Sequence, residues 1–182
     1  MKNNKALWIS LAALVGGFIC LLGCVVLGLV GAAGFGLYQM KNPMSLGTAA
    51  PDFELTTLSG DTIRLSNFQG QPVVLSMGAT WCPDCRREAP LLQKLHEDYP
   101  DVVVISVDGR EDIETVQAFA DEFGLTYPIA MDFDGEIMDT YGIIAIPTLF
   151  FIDEQGLVQA QLVERVSEEK LIQSLAAIGV AD

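Results

Sequence analysis

Two cysteines separated by two residues, in the segment Cys-Pro-Asp-Cys at 82–85, carry the clearest chemistry in this chain. They follow Trp81 and an apolar run at 73–79, which predicts a buried strand leading into a helix. The start of a helix carries partial positive charge, which favours the thiolate form of the first cysteine. Two thiols at this spacing can close into one disulfide and open again. The segment therefore predicts a dithiol redox centre.

The two sulfurs are expected to have different roles. We predict that Cys82 is the exposed nucleophile and that Cys85 is the resolving thiol, which attacks the mixed disulfide and closes the Cys82–Cys85 disulfide. Half of a zinc site is one alternative, but zinc needs two more ligands, and beyond the apolar N-terminus the chain offers only His96. A static disulfide is the other, but its two-residue loop would constrain the unfolded chain little. We predict redox activity with no metal and no cofactor.

The residues around the sulfurs admit more than one interpretation. Pro83 suits the first helical turn, because it lacks the N–H that would be unsatisfied there. The negative charge of Asp84 either disfavours a thiolate on the cysteines or simply suits the first turn of the helix. The positive charges of Arg86 and Arg87 would favour the thiolate. Trp81 either shields the sulfur and offers a platform to substrate, or covers the edge of the core.

Glu88 lies six residues past the first cysteine, on the predicted helix. Its carboxylate either exchanges a proton with Cys85 during the reaction or is a solvated helix residue, and the spacing leaves both open. Ile146 and Pro147 precede an apolar run at 149–152. A proline just before a strand can be cis and let its neighbours pair with an extended substrate, although the sequence alone favours an ordinary trans turn.

The elements that must position these residues follow from the periodicity of the sequence. Strand patterns lie at 53–56, 62–65, 73–79, 102–107, 127–131, 149–152 and 157–163, and helical patterns follow the second cysteine and lie at 116–123, 135–141 and 167–178. The first two strands and the last two read as hairpins, and Ser167 is the predicted N-cap of the final helix. Strands that alternate with helices before a closing hairpin predict an α/β fold with a central mixed sheet.

The N-terminus has a different composition. Residues 7–38 are almost all apolar or small, which exceeds the about 20 residues of a spanning helix and the roughly 7–15 of a signal peptide. We therefore predict one transmembrane helix within a membrane anchor at 1–40, a linker at 41–48 and a single domain at 49–182.

Charge predicts the orientation of this anchor. Lys2 and Lys5 precede the apolar stretch and only Lys41 follows it closely, which places the N-terminus in the cytoplasm and the domain outside, where disulfide chemistry is normal. A lipoprotein, lipidated at Cys24 in a Leu-Leu-Gly-Cys segment, is the second interpretation, and a secreted protein cleaved near 32–34 is the third. All three place the domain on the same side.

The remainder of the chain is strongly acidic. All 24 acidic residues follow position 50, where only seven basic residues accompany them, so this part carries a formal charge of −17. The phosphate backbone would repel such a domain, which excludes nucleic acid as a partner.

Several motifs together resemble the thioredoxin superfamily. They are the Trp-Cys-x-x-Cys segment, Pro90 eight residues after the first cysteine, and Pro147-Thr148 before a buried strand. Three further segments, 50–53, 67–71 and 141–153, are similar to the TlpA/ResA group of membrane-anchored, extracytoplasmic thiol-disulfide oxidoreductases. The resemblance covers about 49–179. It implies a thioredoxin-like fold with an N-terminal β-hairpin and a strand-helix insertion at 127–141.

The resemblance also has consequences for the site and the partners. It implies that Pro147 is cis beside the sulfurs and that Glu88 is the acid that tunes the cysteine pair. Ordinary thioredoxins carry a buried acid where this chain has Ser76, which strengthens the case for Glu88. Implied partners are disulfide-containing extracytoplasmic proteins, among them apocytochrome c before haem attachment, and a membrane electron donor. The Pro83-Asp84 dipeptide departs from the group, so no redox potential is carried over.

Two other functions compete with disulfide exchange. A peroxiredoxin-like thiol peroxidase shares the opening motif at 50–53, but peroxiredoxins place Thr and Pro where this chain has Ala79 and Leu75. A Sco-like copper chaperone would use a Cys-x-x-x-Cys pair and a late histidine, and this chain has neither. Both are disfavoured against a protein disulfide reductant.

Overall fold

The computed structural model describes residues 44–180. Its elements, in chain order, are strands β1 (Glu54–Thr56), β2 (Thr62–Arg64) and β3 (Val73–Gly78), helix α1 (Pro83–Asp98), β4 (Val103–Gly109), α2 (Ile113–Phe123), β5 (Ile129–Asp132), α3 (Glu136–Thr140), β6 (Thr148–Ile152), β7 (Val158–Val163) and α4 (Glu168–Leu175). Short 3-10 turns at Leu65–Phe68 and Ala176–Ile178 complete them. Every predicted strand and helix in this range is present, and Ser167 caps α4 through a hydrogen bond from the Lys170 amide.

The five longer strands form one mixed sheet in the order β5-β4-β3-β6-β7. The β3–β4 and β4–β5 pairs are parallel, whereas β6 is antiparallel to both β3 and β7. Strand β3 lies at the centre and is buried along its whole length, as its continuous apolar sequence predicts. The thioredoxin-like α/β fold with a central mixed sheet is therefore confirmed.

The sheet separates two hydrophobic clusters. Val74 of β3 packs with side chains of α1, α2 and α4 on one face, and its neighbour Leu75 packs with side chains of the β1–β2 hairpin region and α3 on the other. Successive residues of a strand point to opposite faces, which explains the division. Helix α1 is thereby fixed against the sheet along the face that carries Leu92 and Leu95, and its first turn lies at the carboxyl end of β3.

One predicted boundary is wrong. The strand pattern at 102–107 predicts an end at Val107, but β4 continues through Asp108 and Gly109. Their backbones pair with Met131 and Asp132 of β5, a contact between distant segments that local sequence does not reveal. As a result Asp108 lies in the sheet, opposite Gly78 of β3.

The predicted anchor at 1–40, with Cys24 in it, and the first three residues of the linker at 41–48 lie outside the described residues. Between 44 and 180, no helix is both long enough and apolar enough to cross a membrane.

Candidate active site

The two cysteines meet at the start of α1. Cys82 is the N-cap residue, and its sulfur accepts a hydrogen bond from the Cys85 amide at 3.2 Å. Pro83 occupies the first helical position, where a missing N–H costs nothing. Both thiols are free in this structure, which is the dithiol form of the pair. An amide that points at Cys82 stabilises negative charge on its sulfur, as a nucleophile requires.

Our prediction that Cys82 is the exposed sulfur is wrong for this structure. Cys82 is 4% exposed and Cys85 is 8% exposed, so both are buried. Cys82 lies beneath the loop that precedes β6, where its thiol donates a hydrogen bond to the carbonyl of Ile146 at 3.6 Å. This contact joins residues 64 positions apart, and no local pattern in the sequence reports it.

The Ile146–Pro147 peptide bond is cis, as the resemblance implied and the local sequence did not. Thr148 follows directly and pairs with Met77 of β3, so the register of β6 against the central strand holds the loop beside the cysteines. The Thr148 hydroxyl donates to the Ala145 carbonyl at 2.8 Å, and the Glu164 amide donates to the Pro147 carbonyl at 2.8 Å. The loop is therefore fixed from both sides.

Glu88 lies inside the protein, with 2% of its surface exposed, which rules out the alternative of a solvated helix residue. The Ser76 hydroxyl donates a hydrogen bond to its Oε1 at 2.8 Å, while its Oε2 is buried without a partner among residues 44–180. Burial raises the pKa of Glu88 to about 8, against the lowering effect of the Ser76 hydrogen bond. A buried acid with this pKa can gain or lose a proton near neutral pH.

Cys85 and Glu88 line one small cavity behind the cysteines, of about 20 Å³. A side chain on Gly78 would intrude there, because its Cβ would lie 3.3 Å from the Cys85 sulfur. Burial, followed by the interactions with Cys82 and Glu88, raises the pKa of Cys85. Cys85 therefore needs a nearby base before it can attack, and Glu88 is in place to serve.

Two acids of the site escaped the sequence analysis. Asp108 at the end of β4 is 5% exposed, and it lines the same cavity. Glu111, three residues on, accepts hydrogen bonds from the amide and the hydroxyl of Thr80, both at 2.6 Å. An acid that directly follows a buried apolar strand is the sequence signal that could have found Asp108, because such residues lie at the carboxyl edge of the sheet.

On the outer side of the cysteines lies an open groove of about 370 Å³. Trp81 and Ile144 are 70% and 95% exposed along it, and Ile146 continues the same lining. Arg110 lies on its rim, where its guanidinium donates to Asp139 at 2.9 Å. Exposed apolar side chains of this size, next to a reactive pair, form a surface suited to a peptide.

Each charged neighbour of the cysteines forms an ion pair. Asp84 binds Arg87 on the surface of α1, one helical turn away. Arg86 forms an ion pair with Glu122 and lies over the rings of Phe119 and Phe123, at 5.5 and 5.2 Å from their centroids. Both arginines are thereby held by other partners, which reduces their effect on the sulfurs.

Within 44–180, no three His, Cys, Asp or Glu side chains lie together in a way that could hold a metal ion. Glu88, Asp108 and Cys85 share a cavity without forming such a cluster.

Comparison with known proteins agrees with this geometry. The AhpC/TSA family matches residues 46–161. The chain is 37% identical to thiol-disulfide oxidoreductase ResA of Bacillus thuringiensis subsp. konkukian over 160 residues, covering 85% of this chain and 92% of the relative. It is 37% identical to the thioredoxin-like protein YneN of Bacillus subtilis over 163 residues, covering 85% and 95%. A secreted Mycobacterium tuberculosis disulfide oxidoreductase homologous to DsbE superposes with a TM-score of 0.64 at 30% identity, covering 69% and 95%.

Proposed function

This chain belongs to the AhpC/TSA family, among its ResA-like thiol-disulfide oxidoreductases, and we propose that it reduces disulfides of proteins outside the cytoplasm while anchored to the cell membrane. The observation that carries the proposal is the pair of free thiols at the start of α1, with cis Pro147 on one side and the buried Glu88 on the other.

The reaction proceeds in two displacements. The Cys82 thiolate attacks one sulfur of a substrate disulfide, which breaks the substrate S–S bond, forms a mixed disulfide and releases one substrate thiolate. Cys85 then gives its proton to the Glu88 carboxylate and attacks the Cys82 sulfur. The Cys82–Cys85 bond forms, the bond to substrate breaks, and the second substrate sulfur leaves with its electron pair. Two electrons pass from the dithiol to the substrate.

The direction of transfer follows from how weakly the site stabilises a thiolate on Cys85. A dithiol-disulfide protein is a strong oxidant when its reduced form is stabilised as a thiolate, and it is a reductant when that stabilisation is weak. Here burial and the nearby Glu88 raise the pKa of Cys85, and the surrounding domain is strongly acidic. Electrons therefore leave this dithiol readily, which supports a reductant supplied by a membrane electron donor.

The groove indicates the kind of substrate. Trp81, which precedes Cys82, and Ile146, whose carbonyl accepts from the Cys82 thiol, line the groove with apolar surface, and the cis Pro147 leaves neighbouring backbone next to the reactive pair. An extended segment with apolar residues around its disulfide fits this surface. Apocytochrome c before haem attachment, a partner that the resemblance implies, is the substrate that we propose.

The location is inferred from the sequence of the N-terminus. The uninterrupted apolar stretch at 7–38 is long enough to span a bilayer, and the lysines before it favour a cytoplasmic N-terminus. Membrane fractionation of cells, followed by protease treatment of intact spheroplasts, tests this. We expect a membrane-bound domain that external protease removes, whereas a domain protected until lysis would contradict the proposal.

Trapping of partners tests the function. Cys85→Ser should accumulate mixed disulfides through Cys82 in cells, and haem-protein precursors should be among the attached proteins. The matched control is the Cys82→Ser, Cys85→Ser double variant, which has no sulfur to trap with. If peroxide-dependent products were recovered in place of protein partners, the result would contradict the proposal and favour a peroxidase. Ala79 and Leu75, which stand where peroxiredoxins have Thr and Pro, argue against that outcome.

A further inference from the structure

We propose that Asp108 is a second proton-accepting carboxylate behind Cys85. It takes up the proton that Glu88 receives from Cys85 and transfers it to Glu111 at the surface. This inference rests on the proposed role of Glu88 as the proton acceptor. It assigns to Asp108 a positioning and relay role, because Asp108 acts on the sulfurs only through Glu88.

The first observation is that two buried carboxylate oxygens lack partners at the same place. Among the side chains of residues 44–180, the buried oxygen and nitrogen atoms without a hydrogen bond are Glu88 Oε2 and Asp108 Oδ1. Both residues line the cavity behind Cys85, although one belongs to α1 and the other to β4. An unpaired buried carboxylate oxygen is costly, and two at one cavity require a common explanation.

The second observation is the size and polarity of that cavity. Its volume of about 20 Å³ exceeds the roughly 10–15 Å³ that one water molecule needs. The hydroxyl-bearing residues Ser76 and Ser106, which pair across β3 and β4, also line it. A water there would have several polar partners, and it would join Glu88 to Asp108 by hydrogen bonds.

The third observation is a route to solvent. The pKa of Asp108 is raised to about 8 by burial and, next, by the negative charge of the neighbouring Glu111. Glu111 is half-buried and reaches the surface, where it also holds the Thr80 amide and hydroxyl. Asp108 therefore lies between the inner cavity and an acid that meets water.

Together these groups make one acid-base unit. Burial favours the protonated form of both carboxyl groups, so Glu88 and Asp108 can each take up or release a proton near neutral pH. When Cys85 attacks, its proton moves to Glu88, and Glu88 or the bridging water transfers a proton to Asp108 and then to Glu111. No electron moves in this relay, since the sulfur exchange accounts for both.

Other titratable or charged groups must be considered in any pH measurement at this cavity. They are Cys85 on α1, Tyr127 before β5, Glu111 beyond Asp108, and Arg86, which lies over the cavity-lining ring of Phe119. Burial raises the pKa of Tyr127, followed by the charge of Glu88, so its titration falls well above that of the two acids.

Single-turnover oxidation by dithiobis(nitrobenzoate) separates the two displacements, because Cys82 releases the first coloured thiolate and Cys85 the second. We expect Asp108→Asn to slow the second release by about tenfold relative to the first and to shift its pH profile. Glu88→Gln should slow it further, and the double variant should be no slower than Glu88→Gln, because both act on one path. The control is Asp121→Asn, an exposed acid of α2 that accepts a hydrogen bond from Gln117, and it should behave as the unmodified protein does.

The outcomes separate the two ideas. If Glu88→Gln slows the second release and Asp108→Asn leaves its rate and pH profile unchanged, the relay is overturned and the role of Glu88 stands. If neither variant changes it, both are overturned. Carbon-13 NMR of the carboxyl groups in the unmodified protein gives a reading that does not depend on how a variant folds. We expect the Asp108 carboxyl group to titrate well above its ordinary range, and a single inflection near pH 4 would overturn the relay.

Discussion

The two sides of the cysteine pair are built differently. The outer groove presents exposed, apolar side chains, with Ile144 at 95% and Trp81 at 70% exposure. The inner cavity is small, and it collects the buried acids Glu88 and Asp108, at 2% and 5% exposure. The outer side is thus suited to hold a protein chain, while the inner side is suited to hold and move a proton. One dithiol can therefore divide substrate binding and proton transfer between its two faces.

Removal of the Cys82 sulfur should stop the reaction altogether, so that neither the outer groove nor the inner cavity can contribute to it. We expect Cys82→Ser to reduce disulfide reduction to the uncatalysed rate, because neither the groove nor the cavity can act without the first displacement. An insulin-reduction assay with a recycling dithiol measures it, and unaltered activity would show that Cys82 is not the nucleophile. Cys85→Ser is the matched change, and it should retain the first displacement while losing turnover.

A change in the inner cavity alone should affect only the second displacement, in which Cys85 resolves the mixed disulfide. We expect Glu88→Gln to slow resolution of the mixed disulfide by roughly 10²-fold, since Cys85 would lose its base. Rapid quenching of the mixed disulfide measures the rate of resolution. Equal slowing of both displacements would contradict the division between the two sides, because the inner cavity would then also assist the attack by Cys82.

The inner acids should also affect stability in a predictable direction. Burial raises the pKa of Glu88 from 4.5 and that of Asp108 from 3.8, each to about 8. A raised pKa means that the folded protein holds these protons more tightly, so their contribution is full below about pH 4 and is lost as pH rises through 8. We expect the free energy of unfolding to fall over this range, and each tenfold gain in proton affinity on folding contributes at most about 1.4 kcal/mol.

Urea unfolding between pH 5 and 9 measures this slope. The Glu88→Gln, Asp108→Asn double variant should have a flatter slope than the unmodified protein. Asp112→Asn is the control, because Asp112 is an exposed helix cap whose pKa is lowered by hydrogen bonds from Thr115. A slope that the double variant leaves unchanged would mean that the two acids are not buried as described.

Changing the outer side should affect selectivity by a smaller factor. We expect Trp81→Ala to lower the rate with a protein disulfide several-fold more than the rate with a small disulfide, because only the larger substrate covers the groove. Paired assays with an oxidised apocytochrome c peptide and with glutathione disulfide measure the ratio. An unchanged ratio would remove the groove from substrate binding.

The acidic residue between the sulfurs should have the smallest effect. Asp84 is bound to Arg87 at the surface, so its charge is already compensated. We expect Asp84→Asn to change the rate of the first displacement by about twofold or less, as is typical of exposed ion pairs. A change of tenfold would show that Asp84 acts on Cys82 directly and that the Pro83-Asp84 dipeptide tunes the pair.

The sequence predicted most of the fold because its signals are local. Alternation in β1 and β2, the continuous apolar run of β3, and the helical spacing that follows the cysteines each depend on neighbours along the chain. The cysteine pair itself belongs to this class. The cis bond at Pro147 did not follow from local sequence and was expected only from the resemblance.

What escaped prediction depends on contacts between distant segments. Cys82 is buried because the loop at Ile146 covers it, and Asp108 reaches the cavity because β4 extends by pairing with β5. The sequence leaves two interpretations of Glu88 open for the same reason. It does not show that the Glu88 side chain points from α1 toward Ser76. Register and packing decide such questions, and neither is written in a short window of residues.

The pH dependence of mixed-disulfide resolution tests the division of the site most directly. In the unmodified protein, the resolution rate should rise through about pH 8, as Glu88 becomes a carboxylate able to accept the proton of Cys85. In Glu88→Gln the same rise should move to higher pH, where Cys85 ionises without help. A profile that is identical in the two proteins would contradict the account, because the inner cavity would then play no part in proton transfer.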